Sequence, residues 1–200
     1  MLGRVALALL THQAVVQVKM EMDRHTKYVA AQKVARRLSK PLLVVGGPWG
    51  VNSIRQVFRL KAHGCGDMCL DIDPNACEGC PYTYGDIRNL PFADREFGAV
   101  FCSHVLEHMP TPEDCTQAWG ELNRVADHVF ICLPGKDCVA AWLAPGHHLW
   151  VEQVSGDLLK VEDRHSPQVL YAYGRPAAAS SRAPSGRFDL QRLISVTDTT

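Results

Sequence analysis

The stretch Gly85–His108, GDIRNLPFADREFGAVFCSHVLEH, constrains the fold of this chain more than any other. Gly98–Cys102 is a short apolar run rich in β-favouring residues and bounded by turn signals, which suits a buried strand. Leu90, Pro91 and Phe92 form an apolar plug in the loop before it, and Ser103–His108 leaves it as the start of a helix carrying a serine, two histidines and a glutamate. Polar groups gathered just past the carboxyl end of a buried strand lie where open α/β sheets hold their ligands. Leu42–Val45, Gly66–Asp73 and Asp127–Leu133 read as further buried strands, and Val51–His63 and Pro112–Val125 have helical periodicity. Strands alternating with helices predict a mainly parallel sheet covered on both faces. Val154–Asp163 and Gln168–Tyr173 are expected as the last two strands, an antiparallel pair at the edge of that sheet.

Pro41–Gly50, PLLVVGGPWG, adds a strand followed by a glycine turn. Glycine lets backbone come close to a ligand and take positive φ. The glycine turn, the carboxylates after the next strand and the pattern GD…LPF.D..F…VLEH together resemble class I S-adenosylmethionine (SAM)-dependent methyltransferases of the small-molecule type 11 sort. The resemblance covers roughly Pro41–Leu133. It implies a Rossmann-like, doubly wound α/β fold with a mainly parallel seven-stranded sheet and a reversed last strand, preceded here by an N-terminal helix. It also implies SAM as cofactor, bound by Gly46, Gly47 and Gly50 in the turn. Asp71, with Asp73 second, is implied as acceptor for the ribose hydroxyls, at the spacing of about 20 residues that this job needs. Asp86 is implied to accept from the adenine amine, Ile87 to cover the ring, and Ser103 and His104 to sit beside the methyl donor. Val44 stands where the family has an acidic residue, and Pro48 where it has the middle glycine. The turn is therefore expected to hold its ligand mostly through backbone groups.

Transfer of a sulfonium methyl needs little more from a protein than positioning and exclusion of water. A base is required only when the acceptor carries a proton near its reacting pKa. Histidine suits that role near neutral pH, and His108 and His148 are the first candidates, with His147 beside the latter. His104 and His108 are four apart, a spacing that can ligate metal on a helix face, but no third ligand is evident and no metal is expected. Cys77-x-x-Cys80 falls in a link too short for a full helix, with Cys65 and Cys69 nearby. A zinc site, a redox pair and isolated small residues all suit that spacing.

Met1–Val18 is apolar, but its uninterrupted run, Val5–Leu10, is far shorter than the ~20 residues of a membrane span. A packed helix, a marginal membrane anchor and a signal peptide are the three readings. The basic run that follows, Lys19–Lys40, would keep an anchored domain cytoplasmic. The domains are thus 1–18, an apolar helix and candidate anchor; 19–40, a basic helical linker; 41–174, the SAM-binding domain; and 175–200, a Pro/Ala/Ser-rich tail. Lys+Arg and Asp+Glu balance at 21 each, so nothing global points to nucleic acid. Eight cysteines in 200 residues are too sparse for a disulfide scaffold, and free thiols in a reducing compartment are the expectation. The expected activity is methyl transfer from SAM to an O, N or C nucleophile of a small-molecule acceptor in the cytoplasm. A non-catalytic SAM-fold interaction module and an NAD(P)-binding oxidoreductase are the alternatives. Against the last, the turn lacks a clean G-x-G-x-x-G, and no tyrosine has a lysine four residues later.

Overall fold

The computed structural model describes residues 2–50, 58 and 60–174. Most of the helix expected over Val51–His63, and the whole 175–200 tail, lie outside the described residues.

No glycine or proline interrupts the chain from Arg4 to Lys40, and one helix, α1, runs unbroken over Leu2–Arg37. The two segments expected to be separate are therefore one element. It stops because proline at 41 excludes helix from the residue before it. Ser39 takes positive φ (53°) and Lys40 N–H donates to Ala35 O, closing the last turn.

Five parallel strands follow: β1 Leu42–Val45, β2 Met68–Asp71, β3 Tyr82–Tyr84, β4 Phe97–Ser103 and β5 Ala126–Cys132. They lie in the order β3-β2-β1-β4-β5. Because side chains alternate across a strand, the sheet divides its apolar residues between two layers. Leu42, Val44, Ala99, Phe101 and Cys132 pack on Tyr28, Ala31 and Ala35 of α1. Leu43, Val45, Val100, Cys102 and Ile131 pack on helix α2, Pro112–Val125, through Trp119, Leu122 and Val125. Thr111 caps α2 by accepting from Asp114 N–H.

A short helix, α3 (Val139–Leu143), leads to β6 Leu149–Gln153, β7 Leu158–Asp163 and β8 Val169–Tyr173. The expected edge pair β7/β8 is antiparallel, but it does not extend the parallel sheet. With β6 it forms a separate three-stranded antiparallel sheet, so among the described residues the main sheet has five strands rather than seven. The physical reason lies in the pattern of burial. Leu149, Val151, Leu159, Val161 and Ala172 all point into the core that Trp119 and Leu122 share, so the small sheet packs face-on instead of adding at the edge.

Two further expectations are corrected. Ser103–His108 does not begin a helix: only a 3-10 turn, Leu106–His108, forms. His104 sits at the end of β4 with φ of 54°, so His104 and His108 do not share a helix face. The cysteines of the short link are not free thiols. Cys65 pairs with Cys80 and Cys69 with Cys77, flanking the 3-10 turn Pro74–Cys77 between β2 and β3. Cys102, Cys115, Cys132 and Cys138 are free and buried.

No helix among the described residues is long and apolar enough to cross a membrane. Instead, α1 buries Val16 against Cys138, Ala141 and Trp150, while Leu7, Leu9 and Leu10 are exposed.

Candidate functional site

The glycine turn, the end of β2, the loop after β3 and the end of β4 meet around one cavity of about 760 Å³. Helix α1 closes one side and the Pro134–His147 segment another. Its size falls in the range of small-molecule and cofactor sites. Gly46, Gly47, Gly50, Asp71, Asp73, Asp86, Ile87, Ser103, His104, His108 and His147 all line it. His148 does not: its backbone N–H donates to Glu107 O, and its ring lies near His165.

The turn is glycine for steric reasons within the fold. Gly46 has φ of 83°, and a Cβ there would lie 2.6 Å from Ser103 O. A Cβ on Gly47 would lie 2.1 Å from Ala76 O. The close approach lets β1, β4 and the link after β2 converge on one point. Val44 is fully buried under α1, which removes it from the cavity.

Asp71 ends β2 with its carboxylate turned toward the glycine turn. It accepts from Gly47 N–H (2.7 Å) and Asp73 N–H (2.9 Å). Asp73 instead caps the following 3-10 turn through Asn75 N–H. A carboxylate has about four acceptor positions, so Asp71 retains capacity for a ligand. Ile72, between the two aspartates, is 69% exposed and faces the same cavity; its position in D-I-D is the signal that would have found it.

Asp86 is not alone at its end of the cavity. Arg88 donates to both its oxygens and also to Asp114 Oδ1 (2.9 Å). The Arg88 guanidinium holds the carboxyls of Asp86 and Asp114 below the usual carboxylate range. Ile87 is buried beside it.

Beyond Ser103, a buried polar chain crosses to α1. Arg24 Nη2 lies 2.8 Å from His104 Nε2, and His104 Nδ1 lies 3.1 Å from Glu107 Oε1. Arginine only donates, so Nε2 accepts and Nδ1–H donates to Glu107. The left-handed backbone at His104 makes this span, a strain characteristic of functional sites. Arg24 is one of seven cations between Lys19 and Lys40, and nothing local in the sequence distinguishes it.

Glu107 is 1% exposed, and its Oε2 has no hydrogen-bond partner. Burial pushes its carboxyl up, but the hydrogen bond from His104 and the neighbouring imidazoles outweigh it, leaving the group below its usual range. His147 Nδ1 is likewise buried without a partner, and burial lowers this imidazole's pKa. His108 donates from Nδ1 to Gly146 O (2.8 Å), and its ring packs edge-on to His147 at 4.7 Å.

Residues 50–128, about two fifths of the chain, match the family model of a methyltransferase domain. The match takes in Asp71, Asp86, Ile87, Ser103, His104 and His108, and leaves out Gly46, Gly47, His147 and His148. No relative was found among curated protein sequences. Among solved structures, the chain is similar to a SAM-dependent methyltransferase from Methanosarcina mazei (15% identity, 46% of this chain and 51% of that one, TM-score 0.35). It is similar to a SAM-bound amino pentose methyltransferase of calicheamicin biosynthesis from Micromonospora echinaspora (14%, 86% and 72%, TM-score 0.37). It is also similar to a putative methyltransferase from Bacillus halodurans (14%, 63% and 70%, TM-score 0.38). The chain spans about half the length of the Methanosarcina mazei protein.

Proposed function

We propose that this chain, which carries a methyltransferase domain, binds SAM in the cavity at the carboxyl ends of β1, β2 and β4 and transfers its methyl group to a small-molecule acceptor. The observation that carries the reading is convergence. The backbone of Gly46 and Gly47, the carboxylates of Asp71 and Asp86 and the buried Ile87 come from three separate segments and line one cavity. Their chemistry fits the cofactor: acceptors for ribose hydroxyls and an adenine amine, and apolar side chains for the ring. The N–H groups of Gly46, Gly47 and Gly50 are themselves spent on Leu70 O, Asp71 Oδ2 and Gly47 O. SAM bound there would supply an electrophilic methyl already activated by the sulfonium charge.

The residues then divide the remaining work. Asp71 orients the sugar while also fixing the glycine turn through Gly47 N–H. Ile72 and Ile87 offer the adenine its apolar walls. Ser103 and His104 hold the region between cofactor and acceptor, with Arg24 locking His104 in place. Helix α1 and Pro134–His147 exclude water and shape the acceptor pocket. If the acceptor carries a proton, His108 and His147, rather than His148, are the imidazoles that reach the cavity to take it. A cofactor made in the cytoplasm supports a cytoplasmic site of action, whereas disulfides such as Cys65–Cys80 and Cys69–Cys77 are rare in that compartment. Calorimetric titration tests the reading: SAM should bind saturably and Asp71→Ala should abolish it. NADH binding without SAM binding would establish the oxidoreductase alternative, and binding of neither the interaction-module alternative.

A further inference from the structure

We propose that Glu107, His108 and His147 form a site for a divalent transition-metal ion of the zinc class, where the segment after β4 meets the Pro134–His147 wall of the cavity. One ligand atom from each lies within 4.8 Å of the others. Zinc bonds of about 2.0–2.2 Å place neighbouring ligand atoms ~3.4 Å apart, so the three groups need to draw in by about an ångström from that upper bound. Two imidazoles and a carboxylate are a ligand set that zinc accepts.

Three details of the structure favour an ion over a chance grouping. First, two buried polar atoms in the group, Glu107 Oε2 and His147 Nδ1, have no partner. Buried polar atoms are seldom left unpaired, and both are acceptors or ligands by chemistry. Second, the outer contacts are those of ligating groups. His108 gives its Nδ1–H to Gly146 O, which leaves the Nε2 lone pair free to coordinate. Glu107 Oε1 is oriented by His104, itself held by Arg24, which leaves Oε2. Third, the elements that carry the ligands are tied together independently of them: His148 N–H donates to Glu107 O. The geometry of 107 and 147 is thereby set by backbone.

Three protein ligands are the number that a catalytic zinc site uses while keeping a position open. His108 and His147 line the cavity, so the open position belongs to it. The acceptor class this implies carries an oxygen or nitrogen donor able to bind the ion. In that case the two imidazoles serve as ligands rather than as bases. The metal site does not depend on SAM binding.

The test is a titration of the full chain, without reductant so that both cysteine pairs stay closed, with Zn²⁺ by calorimetry and with Co²⁺ by visible absorption. The expected result is one ion per chain, weakened at least ~10-fold by His108→Ala and by His147→Ala. His108 is exposed, and circular dichroism verifies that its variant is folded. The Co²⁺ spectrum should show no thiolate charge-transfer band. Asp71→Ala should leave Zn²⁺ binding intact while removing SAM binding, which separates failure of the metal site from failure of the cofactor site. Absence of saturable Zn²⁺ binding, binding indifferent to both histidine variants, or a thiolate band in the Co²⁺ spectrum would overturn the proposal.

Discussion

Asp71 fixes the glycine turn and is the residue proposed to orient the ribose, and the two jobs separate by substitution. Asp71→Asn keeps an oxygen for Gly47 N–H but offers fewer acceptors to a ribose, whereas Asp71→Ala loses both. Both variants should lose most SAM affinity, and the alanine variant should also melt lower, which calorimetry and thermal denaturation read separately. Gly46→Ala is a sharper structural test. At φ of 83° and 2.6 Å from Ser103 O, a methyl group has no room, and a cost of about 1–3 kcal/mol is expected for the backbone strain alone. That loss should appear in urea unfolding as a lower midpoint at unchanged slope. The residues whose place at the cavity was legible in the sequence were those set by their position along a strand: Asp71 at the end of β2, Ile87 and Asp86 after β3, Ser103 at the end of β4. Arg24 was not legible, because its role depends on where α1 crosses the sheet, more than 70 positions away from His104. The choice between His147 and His148 was also closed to sequence reasoning. Adjacent residues at a strand entrance point opposite ways, and a one-residue change in register exchanges them.

At the scale of elements, the link between β2 and β3 is held by covalent and polar ties. Cys65–Cys80 and Cys69–Cys77 flank its 3-10 turn, while Trp49 Nε1–H reaches from the glycine turn to Glu78 O. Cross-links of this kind typically contribute about 2–4 kcal/mol. Reduction should therefore lower the melting temperature, and it should weaken SAM binding as well, since the link supports the turn. Cysteine-to-serine exchange at 69 and 77 should reproduce part of both effects without reductant. The Arg88 bridge gives a pH signature. Asp86 and Asp114 have folded-state pKa values depressed by Arg88, so between those values and the ordinary carboxylate range the unfolded chain binds more protons. Their stabilisation is full above the ordinary range and fades as pH falls through the folded values. Acid titration of unfolding should show that loss, and Arg88→Ala should flatten it. β1, β2, β4 and β5 were readable as short apolar runs, whereas β6 was not. The cysteine pairing was not, since spacing alone fits thiols, zinc or disulfides until β2 and its link are set side by side. Nor was the separate sheet readable: strand partners are non-local, and only packing on Trp119 shows which face Leu159 and Val161 take.

At the scale of the molecule, α1 is the element that links the sheet to the Pro134–His147 wall of the cavity. Its second half covers the sheet, and its first half reaches the Pro134–His147 segment. There Gln13 Nε2–H donates to Asp137 O and its Oε1 accepts from Val139 N–H. Removal of residues 1–18 should leave the sheet folded through Tyr28, Ala31 and Ala35. It should also raise amide hydrogen exchange across 134–147, the wall assigned to the acceptor. The same comparison bears on the exposed leucines of α1: co-sedimentation with lipid vesicles that disappears on removing 1–18 would assign them a peripheral role. The parallel α/β plan was legible from alternating periodicity, whereas the role of α1 was not, because an apolar segment of that length reads equally as packed helix or anchor. The central claim is that one cavity, built at the ends of β1, β2 and β4, binds SAM. Calorimetric titration of the full chain with SAM tests it most directly. A saturable one-site isotherm that vanishes in Asp71→Ala is the expected result, and a folded chain that gives no SAM isotherm would contradict it.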